Sequence, residues 1–279
     1  MRVTMVQVAR EAGVDKATVS RALKGDPRIS LATREKVWEA VKRLGYEPDA
    51  VAKGLSSSKS GMVAVVFRSL ACGWTGSFLA GVERVLAKGR TDFMVRSTGG
   101  VQGTRESVLR TLSARRVDGL LSLDPHLGKI PGIPAVTVGF RMEGAHSVLI
   151  DAKEGLRQLS TLSRGAPIAY RPGPEALFPE MGEALREQGG QEVAQSAWVL
   201  CDGMLPTTGI QAVVTCGRAT GCCGFEFPRL IWPAFETGVL SARLLLNALK
   251  GQGALPDVVL VQPRLQVKDT GCEGSEEIV

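Results

Sequence analysis

Long hydrophobic runs are missing from this chain: no apolar stretch approaches the ~20 residues that a helix needs to cross a bilayer. The opening segment MRVTMVQVAREAG breaks its apolar residues with Arg2, Gln7, Arg10 and Glu11, where a secretory leader needs a continuous greasy stretch. A cytoplasmic protein with no membrane partner is expected. Histidine is nearly absent, with only His126 and His146, and the six cysteines (Cys72, Cys201, Cys216, Cys222, Cys223 and Cys272) fall at irregular spacing. CGRATGCC lacks the paired two-residue spacings of a zinc site, so free thiols are expected, and no metal. Catalytic signatures are lacking too. There is no Walker phosphate loop, no GxGxxG after a strand and no nucleophile paired with histidine, so neither an enzyme nor a cofactor is expected.

What is present is ordinary globular composition, 44% hydrophobic and 22% charged over 279 residues, enough for a small domain and a larger one. The charge is unevenly divided. Residues 1–60 carry 12 Lys and Arg against 7 Asp and Glu, so nearly all of the net charge of +6 lies in the first fifth of the chain. A basic head on a near-neutral body suits a polyanion-binding module joined to a regulatory or assembly domain, although a merely solvated basic surface would carry the same charge.

The head reads as three short helices. Thr4 followed by Gln7 is a capping-box pattern, and Met5, Val8, Ala9 and Ala12 recur at helical spacing until Gly13. Asp15 caps a second helix whose apolar face is Val19, Ala22 and Leu23, ending before Gly25. Two short helices around a tight glycine turn make a helix-turn-helix, whose second helix enters the major groove. Ser30 caps a third helix, LATREKVWEAVKRLG, in which Val37, Trp38, Val41 and Leu44 are expected to close a small core. With Val19, Ala22 and Leu23 turned inward, Lys16, Ala17, Ser20 and Arg21 face outward as candidate DNA readers. Arg21 can donate two bonds to the O6 and N7 edge of guanine, Ala17 can meet a thymine methyl, and Ser20 and Lys24 can hold phosphates.

The stretch TMVQVAREAGVDKATVSRALKGDPRISLATREKVWEAVKRLGYEPDAVAKGLSSSKS resembles the DNA-binding head and hinge of the lactose-repressor family of bacterial transcription regulators, with VA.EAGV, TVSRAL, TREKV and LGY.P in order at the family's spacing. The resemblance implies base selection by Lys16 and Ala17 beside Arg21, and phosphate positioning by Thr4, Thr18, Ser20, Ser30 and Thr33. It also implies that PDAVAKGLSSS is a hinge that becomes helical when two subunits meet on DNA, with Leu55 as a minor-groove wedge and Ala52 beside it. The segment DAVAKGL is too short for a stable isolated helix, Gly54 raises its ordering cost, and an apolar side chain can prise open a base step. A plain linker with Leu55 packed on the body is the alternative. These readings divide the chain into a head (1–46), a hinge (47–60) and a body (61–279) for effector binding and dimerisation.

From Met62 short apolar runs alternate with helical stretches. MVAVVF (62–67), DFMVR (92–96), VDGLLSL (117–123) and IPAVTV (133–138) read as buried parallel strands, and SVLI, PIAY, SAWVL, QAVVTC and DVVLV continue the series. Helices are expected around 77–89, 103–115, 152–163, 174–188 and 233–250. The fold class expected is therefore a small all-α helix-turn-helix head plus an α/β body with parallel doubly wound sheets. RRVDGLLSL, IPAVTVGFRMEG, LIDAKEG and LLLNALKGQ resemble the family's two-lobed, periplasmic-binding-protein-like body, which implies a small effector, sugar or nucleoside-like, bound between lobes.

The body departs from that family's pattern. The chain is short between QAVVTC and CCGFEFP, Gly139 and Phe140 precede Arg141 where the family has an aspartate and arginine, and Leu177 and Phe227 replace polar residues. Trp74, Arg141 and Glu226 remain as candidate effector contacts, Trp74 either stacking on a ligand or buried in the lobe. The function expected is a homodimeric, sequence-specific repressor on a palindromic operator, tuned by an effector; the alternative is an architectural or effector-independent regulator whose body only dimerises. No leucine-heptad tail follows LQVKDT, which favours dimers over tetramers.

Overall fold

The computed structural model describes residues 3–46, 59–71, 73–166, 168–171, 198–201, 211–215 and 229–266. The hinge segment PDAVAKGLSSS, with Ala52 and Leu55, lies outside the described residues, as do Leu177, Glu226, Phe227 and the helix expected at 174–188. The chain divides into two units, Met1–Ser60 and Gly61–Val279.

In the first unit, α1 (Met5–Ala12), α2 (Lys16–Leu23) and α3 (Leu31–Leu44) form a three-helix head. Its core is Val8, Ala9, Val19, Ala22, Val37, Ala40 and Tyr46. Each helix start carries a side-chain cap from Thr4, Asp15 or Ser30. Gly13 ends α1 in the left-handed conformation at φ 65°, and the next N–H, of Val14, donates back to the Ala9 carbonyl at 3.0 Å. That closure turns the chain tightly enough for α2 to start within three residues. Trp38, expected in the core, is instead 46% exposed. The inward stripe of α3 runs Val37, Ala40, Val41, Leu44, and a residue one step from Val37 is rotated about 100° away from it.

The second unit holds two sheets. β1 (Met62–Phe67), β2 (Asp92–Ser97), β3 (Gly119–Leu123), β4 (Ala135–Val138), β5 (His146–Ile150) and β10 (Val258–Val261) form a parallel sheet in the order β10-β5-β4-β3-β1-β2. β6 (Ile168–Arg171), β7 (Trp198–Cys201), β8 (Gln211–Thr215), β9 (Arg229–Ile231) and β11 (Arg264–Gln266) form the other, in the order β11-β9-β8-β7-β6. Among the described strands, β11 alone runs antiparallel, against β9. The helices among the described residues are α4 (Thr75–Lys88), α5 (Gln102–Ala114), α6 (Ala152–Ser163) and α7 (Ala234–Leu249).

β1 shows why its sequence is apolar throughout. Val63, Val65 and Phe67 belong to the cluster that holds Phe78, Val82 and Leu86 of α4 with Ala242 and Leu245 of α7, whereas Ala64 and Val66 pack with Val108 and Leu112 of α5. A strand covered on both faces cannot alternate apolar with polar. β9 and β11, three residues each, were not expected, because so short a strand has no period to read. β10, from DVVLV, pairs with β5, so the chain returns to the first sheet after building most of the second.

Candidate nucleic-acid interface

α2 is held rigidly from one side. Val19 and Ala22 are buried, Asp15 accepts the Thr18 N–H at 2.8 Å, and the Thr18 hydroxyl donates to the other Asp15 oxygen at 2.8 Å. These bonds hold the Asp15 carboxyl below its ordinary range, the Thr18 hydroxyl having the largest effect. Lys16, Ala17, Arg21 and Lys24 are exposed, and Ser20 is half-buried. Three cationic groups thus stand along one helix with no side-chain hydrogen bond or ion pair among the described residues. A long cation without an intramolecular partner is available to a phosphate or a base edge.

The turn after α2 is braced separately. Arg28 grips Asp26 through Nε at 3.0 Å and Nη2 at 2.7 Å, and the Arg28 N–H donates to the same carboxylate at 3.0 Å. The Asp26 carboxyl is therefore held far below the usual carboxylate range, mainly by Arg28, with the Arg21 charge adding to it. Asp26 in turn donates its N–H to the Arg21 carbonyl at 3.0 Å and accepts the Arg34 guanidinium at its own carbonyl at 3.1 Å. This fixes α2 against α3. Arg43 and Glu11, 2.7 Å apart, tie α3 to α1.

Of the five hydroxyls named for phosphate contact, those of Thr4, Thr18, Ser30 and Thr33 already have intramolecular work. Thr4 donates to the Gln7 side-chain oxygen at 3.0 Å while accepting the Gln7 N–H at 3.4 Å, and Ser30 and Thr33 share a hydroxyl bond at 2.9 Å. A hydroxyl has one proton, so Thr4 and Thr18 have committed theirs, whereas the Ser30–Thr33 pair keeps one to offer. The first-turn N–H groups of α1 and α3 add donors that suit an anion at a helix start.

The expected effector residues are not gathered into an open site among the described residues. Trp74 is 3% exposed, its ring edge-on to Trp232 with centroids 4.6 Å apart and packed beside Phe67 and Phe78. Of the two readings for Trp74, burial in the lobe is the one observed: as a stacking platform the ring is covered. Trp232, whose ring is nearer to it than those of Phe67 and Phe78, was not singled out from sequence; its position between β9 and α7 carries no motif. Arg141 is exposed in the loop after β4. No group of three or more His, Cys, Asp or Glu poised to hold a metal occurs among the described residues. No helix there is long and apolar enough to cross a membrane.

Residues 4–49 match the family described as bacterial regulatory proteins, lacI family. The catabolite control protein A of Streptococcus mutans is 36% identical over 125 residues, 45% of this chain and 38% of that protein. Its namesake from Staphylococcus aureus strain Mu50 is 30% identical over 169 residues, 57% of this chain and 51% of that one. The chain thus spans about half or less of the length of these curated relatives. Among solved structures, the lac repressor dimer bound to operator and an anti-inducer superposes with a TM-score of 0.75 at 20% identity, covering 95% of this chain and 98% of that one. A complex of the regulator CelR with cellobiose superposes at 0.58 with 22% identity, covering 97% and 100%. At such identities the likeness establishes the fold alone: a helix-turn-helix head and an α/β body.

Proposed function

We propose, from a head that matches the model of the lacI family of bacterial regulatory proteins, that this chain is a sequence-specific transcription regulator, a repressor that binds a palindromic operator as a homodimer in the bacterial cytoplasm. The observation that carries the proposal is the α2 surface: Lys16, Ala17, Arg21 and Lys24 exposed on a helix whose other face and both ends are pinned. On this reading Arg21 reads guanine, Lys16 and Ala17 select neighbouring bases, and Lys24 and Ser20 hold phosphates, with Thr4, Thr18, Ser30 and Thr33 placing the helix starts against the backbone. Ala52 and Leu55 would enter the minor groove. The domain division follows the same reading: 1–46 reads DNA, 47–60 is the hinge, and 61–279 dimerises and senses. The protein is a regulator rather than an enzyme.

A fluorescence titration of the full chain on a palindromic duplex and on its scrambled counterpart, at several salt concentrations, tests this. Tighter binding to the palindrome at every salt supports the reading. Equal affinity for both duplexes overturns it, because phosphate contacts alone do not distinguish sequences.

For the body, a small-molecule effector bound near Trp74, Arg141 and Glu226 competes with a body that only dimerises. The covered Trp74 ring favours the second reading. A thermal-shift screen with sugars and nucleosides separates the two, because a ligand that binds only the folded protein raises its melting temperature.

A further inference from the structure

The chain enters the body at Gly61, the residue before β1, and β1 lies between β3 and β2 in the first sheet. Gly61 is tied to both neighbours. Its carbonyl accepts the Asp92 N–H at 2.9 Å, and its own N–H donates to the Asp118 carboxylate at 2.8 Å. On the β2 side, the turn leaving α4 carries Lys88 and Arg90; on the β3 side, the turn leaving α5 carries Arg115 and Arg116. By the usual strand spacing, β2 and β3 stand on the order of 10 Å apart across β1. All four cations are exposed, and none has a side-chain hydrogen bond or an ion pair among the described residues. The acids of the same two turns are Asp92 and Asp118, and the Gly61 N–H already occupies Asp118.

The two turns are built alike. Thr91 donates its N–H to the Leu86 carbonyl at 3.0 Å, and Val117 donates to that of Leu112 at 3.3 Å, so each helix closes over a left-handed residue. That residue is Arg90 at φ 50° in one turn and Arg116 at φ 51° in the other. Glycine takes this conformation without strain and is the usual choice there, whereas an arginine is held in it against a steric cost. The non-glycine residues with positive φ among the described residues are these two and Arg164, at the end of α6. A cation at a helix C-terminus also offsets the helix dipole, but Lys88 and Arg115 supply that charge from unstrained positions. The dipole therefore does not account for the strained pair, and strain held at an exposed position points to a use for the side chain.

We propose that Lys88, Arg90, Arg115 and Arg116 form a second DNA-contacting surface, on the body, that holds backbone phosphates of the duplex the head reads. The proposal rests on the DNA-binding reading of the head. Guanidinium groups without an internal carboxylate offer the paired donors that a phosphate accepts, and phosphate contacts add affinity without sequence information. The fourteen residues 47–60 can span at most ~50 Å, so a duplex held by the head is tethered within that reach of Gly61 and of the turns on either side of it. Tethering raises the effective concentration of phosphate at these turns, so contacts too weak to hold free DNA still tighten the complex.

Fluorescence titrations of the full chain on a palindromic duplex, its scrambled counterpart and heparin, at several salt concentrations, test this with two variants, K88Q/R90Q/R115Q/R116Q and R90G/R116G. The quadruple variant should bind both duplexes at least tenfold more weakly at low salt, with the palindrome preferred by the same factor as in the native chain. Its slope of log affinity against log salt should flatten by about one or more, because each phosphate contact contributes about 0.9. R90G/R116G should lose threefold or more in affinity for both duplexes while its melting temperature rises, a pair of changes that misfolding cannot produce. Unchanged duplex affinity and slope in the quadruple variant, a lower melting temperature in R90G/R116G with duplex binding intact, or weakening confined to heparin would overturn the proposal. Equal affinity of the native chain for both duplexes would instead overturn the sequence-specific reading of the head, and the slopes would still decide the fate of these four cations.

Discussion

Asp15 and Thr18 hold each other twice, backbone N–H to one carboxylate oxygen and hydroxyl to the other, each at 2.8 Å. The pair starts the helix proposed to read DNA, and it takes the only proton that Thr18 could offer to a phosphate.

Thr18→Val is therefore expected to lower the melting temperature of the head while leaving the operator affinity of the folded protein nearly unchanged. A clear loss of operator affinity in a folded Thr18→Val would mean that Thr18 meets a phosphate after all. Asp15 has a depressed carboxyl, so its contribution is present above the ordinary carboxylate range and is lost as pH falls through its lowered value. An acid titration followed by circular dichroism should show that loss in the native head and its absence in Asp15→Asn.

Arg21→Ala should reduce discrimination between operator and scrambled duplex by about 1–3 kcal/mol, as expected for a bidentate guanine contact. Lys24→Ala should weaken both duplexes alike and flatten the salt dependence. Parallel titrations distinguish the two; equal losses on both duplexes for Arg21→Ala would remove it from base reading.

In the body, α4 and α7 cross through a reciprocal glycine contact. A Cβ on Gly81 would run into the Phe235 carbonyl oxygen, and one on Gly238 into the Phe78 carbonyl oxygen. Gly81→Ala and Gly238→Ala should each destabilise the body by about 1–3 kcal/mol, the usual range for overpacking, because backbone rather than a movable side chain is in the way. Denaturant midpoints measure this, and a neutral Gly81→Ala would mean that the helices can separate freely.

Asp124 joins Arg105, Thr98 and the His126 N–H inside the first sheet's loops. Burial pushes its carboxyl up, but the bonds from Arg105 and Thr98, with the His126 N–H, outweigh it and leave the group below its ordinary value. Its stabilisation is thus complete above the unfolded carboxylate range and lost as pH falls through the depressed folded value. Asp124→Asn should destabilise the body by about 2–4 kcal/mol at neutral pH by leaving Arg105 partly buried without its counter-charge. The difference between native and variant melting temperatures should shrink at low pH.

The sequence alone determined what depends on local signals. Thr4, Asp15 and Ser30 are caps in both readings, Gly13 and Gly45 end their helices as their position demanded, and MVAVVF is β1 residue for residue. A cap, a left-handed glycine and a continuous apolar run are each decided within a few residues of chain. Tertiary structure decided the rest. Trp38 points out because the inward stripe of α3 is set by α1 and α2, and Trp74 is covered because Trp232, 158 positions later, returns to meet it. β11 is antiparallel and β10 belongs to the first sheet because pairing depends on which strand edge is open when the chain comes back, and no residue records that locally.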